Sequence, residues 1–144
     1  RRDLVQKTML VEDFVEKRWD LHPARPTITR ASSRVVLHGH CHQKAIEGVE
    51  SSAALMRRIA GDRLEVLDST CCGMAGMFGY TKDRFDLSMK IGELGVLPAA
   101  RSIGQGEVMV APGTSCRHQI HDGAHVRALH PIEFAARAMG LPSE

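Results

Sequence analysis

Three short apolar runs set the frame of this chain: Val35-Val36-Leu37, Leu64-Glu65-Val66-Leu67 and Val108-Met109-Val110-Ala111. Each has strand length, and each is followed by a longer stretch with helical spacing. The first such stretch runs from Lys44 to Ile59. The second runs from about Asp83 to Leu94, with Pro98 to Ile103 continuing it after a kink, and the third starts near Cys116. A fourth run, Val126-Arg127-Ala128-Leu129, leads into a closing helix from Pro131 to Met139, with Pro131 suited to a first helical turn. Strand followed by helix, repeated in this way, predicts the α/β class: a small parallel sheet of about four strands with helices on both faces. Ahead of these units, Leu4, Val5, Met9, Leu10, Phe14 and Val15 mark an amphipathic helix from Leu4 to Trp19. Pro23 and Pro26 then break the chain into a linker. The expected division is an N-terminal helix and linker over residues 1–25 and one domain over residues 30–144.

The bulk properties narrow the partners. The chain has 144 residues, 43% of them hydrophobic, which suffices for a core without covalent staples. Nineteen basic and 17 acidic residues give a net charge of +2, and the basic residues are scattered. That balance offers no footprint for nucleic acid, and 4% aromatics offer few stacking platforms. No apolar run approaches the roughly 20 residues of a membrane-spanning helix. The opening Arg1-Arg2-Asp3 does not read as an export signal, and the absent initiator Met suggests a piece of a longer protein. Without export, the expected compartment is reducing and cytoplasmic, where clustered cysteines read as metal-binding or catalytic.

The four cysteines follow the strands. Cys41 comes just after the first run, Cys71 and Cys72 after the second, and Cys116 after the third. In an open parallel sheet the carboxyl ends of the strands line one edge, and ligands bind in the crevice there. Residues far apart in sequence are thereby expected at one place. Each group also lies near an expected helix start, with Thr114 or Ser115 as a candidate N-cap before Cys116. Helix N-termini favour thiolate, the form that binds metal. Four thiolates suit tetrahedral zinc or an iron–sulfur cluster, and the spacing alone does not choose between them. Burial as four separate small apolar side chains is the plainer alternative. Adjacent Cys71 and Cys72 could join only through a strained bridge.

Eight histidines surround this pattern loosely. A lone histidine is more often packed or solvated than a ligand, so adjacency decides which to retain. His40 and His42 flank Cys41, Gly73 follows the cysteine pair, and His118 lies near Cys116; these four are the candidates for contact behind the ligands. Gly73, Gly76 and Gly79 do not make the G-x-G-x-x-G dinucleotide pattern and read as structural.

Three segments carry a resemblance. They are His38-Gly39-His40-Cys41-His42-Gln43-Lys44-Ala45, Asp68-Ser69-Thr70-Cys71-Cys72-Gly73-Met74-Ala75-Gly76, and Ala111-Pro112-Gly113-Thr114-Ser115-Cys116-Arg117. Over roughly residues 30 to 140 the chain resembles the cysteine-rich CCG domain found in heterodisulfide reductase and in the iron–sulfur subunit of glycolate oxidase. It is most similar to the C-terminal region of fused FAD and iron–sulfur dehydrogenases of the D-lactate and 2-hydroxyglutarate type. The resemblance implies an electron-transfer domain holding a 4Fe-4S type cluster or zinc on Cys41, Cys71, Cys72 and Cys116. It implies flavin and ferredoxin-like domains elsewhere in the same protein, a 2-hydroxy acid substrate, and a place at most peripheral to the inner membrane. The heterodisulfide reductase pattern ends in C-x-x-C, whereas Gln119 stands three residues after Cys116 here, which favours at most four thiolates. Two other readings stand beside this one: a four-cysteine zinc module with a structural or interaction role, and a thiol-redox domain in which Cys71 or Cys72 reacts directly. No acid–base pair or flavin site is evident, so the isolated chain is not expected to be catalytic by itself.

Overall fold

The computed structural model describes Leu4 and residues 8–69 and 71–142. Val35–Leu37 (β1), Leu64–Val66 (β2) and Val108–Val110 (β3) form a parallel sheet in the order β2-β1-β3. Val35 lies opposite Leu64 on one side and Val108 on the other, and Leu37 opposite Val66 and Val110. The ladder continues past the strands: Leu67 N–H donates to the Leu37 carbonyl and His38 N–H to the Val110 carbonyl, both at 2.9 Å.

The expected fourth strand is reduced to one parallel bridge between Val110 and Leu129. Ala111 N–H donates to the Leu129 carbonyl and Leu129 N–H to the Met109 carbonyl. Pairing stops there because Pro131 has no N–H and opens the next helix. The sheet therefore has three strands among the described residues, rather than four.

Seven helices surround it among the described residues: α1 Val11–Arg18, α2 Cys41–Ile46, α3 Glu50–Ala60, α4 Phe85–Gly92, α5 Val96–Arg101, α6 Thr114–Ala124 and α7 Pro131–Ala138. Several boundaries differ from expectation for identifiable reasons. The helix expected over Lys44 to Ile59 is split into α2 and α3, with Gly48 at φ +81° between them, a left-handed conformation that ends a helix. The expected kink at Pro98 is a full break at Gly95, which leaves Pro98 in the first turn of α5, where its missing N–H costs nothing. At the N-terminal side Leu4 is helical as expected, but residues 8–10 are not and Leu10 is extended, so the expected helix is interrupted before α1 begins at Val11; residues 5–7 lie outside the described residues.

Strand alternation divides the core. Val35, Leu37 and Val110 pack against Leu55, Met56 and Ile59 of α3 and Phe134, Ala135 and Ala138 of α7. Val36 and Met109 face the other way, with Val96, Leu97 and Ala100 of α5, Ile120 of α6, Cys72 and Cys116. Helices thus cover both faces, and two of the cysteines belong to the second. Leu55 is fully buried at the middle of the first face. Leu55→Ala is expected to cost about 3 kcal/mol, within the usual range for a buried leucine. Chemical denaturation checks this; an unchanged midpoint would show that α3 does not hold that face.

Candidate metal centre

Each cysteine segment follows the carboxyl end of a strand. Cys41 is the first residue of α2, after β1; Cys71 and Cys72 follow β2; Cys116 lies in the first turn of α6, after β3. With β1 in the centre and its two sequence successors on opposite sides, the connections diverge above it and leave the crevice such sheets use for ligands. Gly113 is the residue before α6 and makes no side-chain cap, so neither Thr114 nor Ser115 takes the expected N-cap role. Arg117 fixes this loop instead: its guanidinium donates to the carbonyls of Ala111 (2.9 Å) and Pro112 (2.8 Å) and to Thr114 Oγ1 (3.1 Å). Across the crevice, Lys44 Nζ donates to the Ser69 carbonyl at 2.7 Å and ties α2 to the segment before Cys71.

All four thiols are free, and they associate two by two. Cys41 and Cys71 are half-buried with their sulfurs 3.8 Å apart. Cys72 and Cys116 are 1% and 0% exposed. The proximity of Cys116 pulls the Cys72 pKa down against its burial, and His38 and the Met74 N–H add to the effect. Cys116 is pushed up by the neighbouring Cys72 sulfur, and burial pushes it further. Burial raises Cys71, partly offset by Gly73 N–H, which donates to its sulfur at 3.3 Å. Among the described residues, no three His, Cys, Asp or Glu side chains converge on one coordination point. The donor chemistry fits a soft metal: four sulfurs on three segments, a buried pair behind a rim pair, with a backbone N–H already directed at one sulfur.

The histidines separate by geometry. His40 Nδ1 lies 3.3 Å from Cys116 Sγ, and its burial lowers its pKa. His42 is exposed and stacks on His40, with ring centroids 6.3 Å apart. His118 is exposed, and its Nδ1 is bonded to Tyr80 OH at 2.7 Å. Of the four flanking candidates, His40 and Gly73 touch the cysteines, while His42 and His118 are engaged elsewhere. The reason is helical phase: one or two residues past a helical cysteine, the side chain has rotated roughly 100° or 200° away. Gln119 is buried and donates from its amide to Ser88 O and Oγ, both at 3.1 Å, so its contacts hold α6 to α4.

His38, weighed in the sequence as one lone histidine among several, is the residue the structure brings forward. It is fully buried, its Nδ1 sits 2.7 Å from Ser69 Oγ, and its Nε2 has no hydrogen-bond partner. The signal was present in the strand phase: His38 lies two residues after Val36, whose face carries Cys72 and Cys116.

Comparison with curated proteins adds chemical context. Over 108 residues the chain is 34% identical to a subunit of the anaerobic glycerol-3-phosphate dehydrogenase from Escherichia coli K12, covering 74% of this chain and 26% of that one. The same protein from Escherichia coli O157:H7 matches equally. Over 113 residues it is 30% identical to D-2-hydroxyglutarate dehydrogenase from Escherichia coli K12, covering 76% of this chain and 11% of that one. The chain is similar to components of dehydrogenases. It spans about a quarter of the length of the glycerol-3-phosphate dehydrogenase subunit that it matches. No family model matches it, and no solved structure matches it. Among the described residues, no helix is long and apolar enough to cross a membrane.

Proposed function

We propose that Cys41, Cys71, Cys72 and Cys116 hold an iron–sulfur centre, and that the chain is an electron-transfer domain of a flavin-linked dehydrogenase. The observation that carries this reading is the meeting of three cysteine segments beside β1 in a chain similar to two dehydrogenases. A bound cluster would supply one-electron chemistry at potentials set by burial and by hydrogen bonds to its sulfurs. The chain's own residues do the rest. Cys72 and Cys116 anchor the centre in the core, Cys41 and Cys71 hold its outer side, and Gly73 N–H donates to the Cys71 sulfur. Met74, buried beside Cys72, keeps water from the inner pair.

Flavin and ferredoxin-like domains belong elsewhere in the same assembly under this reading. The substrates named for the two relatives, glycerol-3-phosphate and D-2-hydroxyglutarate, are both anionic and carry a secondary hydroxyl. That class includes the 2-hydroxy acids suggested by the sequence resemblance and is the one we assign to the whole enzyme.

Anaerobic purification followed by metal and sulfide analysis tests the proposal. The expected result is a brown absorbance band with iron and acid-labile sulfide. One zinc per chain with neither iron nor sulfide would sink it in favour of a zinc module. A metal-free protein with one rapidly reacting thiol would favour thiol-redox chemistry.

A further inference from the structure

The rim thiols differ from the inner pair in contact and in access. Cys41 and Cys71 are half-buried, and their sulfurs lie 3.8 Å apart. That is van der Waals contact, so a disulfide of about 2.05 Å needs the sulfurs to close by roughly 1.8 Å. The backbones that carry them are already joined. Lys44, in the same helix as Cys41, donates from Nζ to the carbonyl of Ser69, two residues before Cys71, at 2.7 Å. Cys71 itself lies in neither a helix nor a strand, so its side chain can turn without breaking a backbone ladder. The other pairings are disfavoured. Cys72 and Cys116 are 1% and 0% exposed and share their face with buried Met74, which keeps solutes from both sulfurs. Adjacent Cys71 and Cys72 could join only through a strained bridge.

We propose that Cys41 and Cys71, when free of metal, are oxidised by hydrogen peroxide to a reversible disulfide that closes the centre to metal. In the first step one rim sulfur attacks a peroxide oxygen. The O–O bond breaks, a sulfenic acid forms, and the departing hydroxide takes the thiol proton and leaves as water. In the second step the other rim sulfur attacks the sulfenic sulfur. The S–O bond breaks, the S–S bond forms, and the hydroxyl leaves with the remaining thiol proton as a second water. The two sulfurs together lose two electrons, and the two peroxide oxygens gain them. Contact between the sulfurs decides the outcome: an isolated sulfenic acid goes on to sulfinic acid, which thiols do not reverse, whereas a neighbouring thiol intercepts it. The bridge also occupies two of the four sulfurs and leaves only the inner pair, short of the four ligands of a closed thiolate site. The consequence for metal rests on the function proposed above; the bridge itself does not.

Peptide mapping tests it on the unaltered chain. Reduced protein, stripped of metal by a chelator, is treated with hydrogen peroxide, alkylated, digested with trypsin and mapped by mass spectrometry. Trypsin separates the cysteines into residues 35–44 with Cys41, residues 64–82 with Cys71 and Cys72, and residues 102–117 with Cys116. The expected product is residues 35–44 linked to residues 64–82 within one chain. Fragmentation is expected to place the link at Cys71, with Cys72 and Cys116 alkylated only after unfolding. A link through Cys72 or Cys116, a link between two chains, or oxidised rim sulfurs without a link would overturn the proposal. So would a bridge that forms at the wild-type rate in Cys41→Ser. Co(II) absorbance then reads the consequence: binding is expected to be lost in the bridged protein and regained on reduction. Full Co(II) binding by the bridged protein would overturn the closing of the centre. If the reduced wild-type protein binds no Co(II), the metal reading of the cysteines fails, and the peptide map still decides the bridge.

Discussion

Replacing either buried cysteine by serine is expected to reduce metal affinity by roughly a hundredfold or more. Structural thiolate sites contribute about 10–16 kcal/mol of binding, or roughly 2.5–4 kcal/mol for each of four ligands. At 1.4 kcal/mol per factor of ten, that is on the order of a hundred- to a thousandfold per ligand. Cys72→Ser and Cys116→Ser should show the full loss, because these residues are 1% and 0% exposed and a displaced metal would find no water to replace the sulfur. Cys41→Ser and Cys71→Ser should lose less, because both residues are half-buried and solvent can supply an oxygen donor. Metal content of the anaerobically purified protein, with Co(II) competition for affinity, separates the two pairs. Full loading after Cys116→Ser would remove that residue from the centre. Equal losses at all four positions would contradict the distinction between buried and rim pairs. The serine variants should stay folded, because serine and cysteine are close in size and Val36, Met109, Leu97 and Ile120 still close that face.

Which parts of this arrangement were legible in the sequence follows from the range of the forces involved. The central strand was readable because a short apolar run in a parallel sheet is buried, as Val35, Val36 and Leu37 fully are, whereas β2, an edge strand only partly buried, was readable from its length and its apolar Leu64 and Val66. The order of the cysteine segments after those strands was readable for the same reason. The fourth strand was not, because whether Val126 to Leu129 pairs depends on where Pro131 starts its helix, and one bridge at Leu129 is all that geometry allows. Helix breaks at Gly48 and Gly95 were missed because apolar periodicity continues across them while the backbone does not. Among the histidines, sequence adjacency favoured His42 and His118, whereas helical phase turns both away. His38 was separable only by carrying the strand phase one residue past β1, which requires knowing that the ladder continues there. The pairing of the thiols into an inner and an outer couple had no sequence signal, since it depends on the depth of each loop.

Gly73→Ala is expected to be the most disruptive single-methyl change in the molecule. Gly73 has φ +98°, a conformation that L side chains rarely adopt. An added Cβ would run into the backbone carbonyl oxygen of Ser88 and would lie 3.1 Å from Gln119 Nε2. Neither neighbour can yield cheaply: Ser88 Oγ donates to the Gly73 carbonyl at 2.9 Å, and Gln119 donates to Ser88 O and Oγ. The methyl group must therefore move α4 and α6 together or turn the Gly73 peptide. Turning the peptide withdraws the N–H that donates to Cys71 and shifts the neighbouring Cys72. The expected cost is about 3 kcal/mol or more, the upper range for a single substitution, together with loss of metal loading. Gly76→Ala provides the control. Gly76 also has positive φ, +66°, but a Cβ there meets nothing within 4 Å. Only the left-handed strain of about 1–2 kcal/mol remains, and metal loading should be retained. Chemical denaturation and metal content of the two variants side by side make the comparison. Equal destabilisation with equal metal content would show that the contact of Gly73 with Ser88 does not govern the cysteine pair.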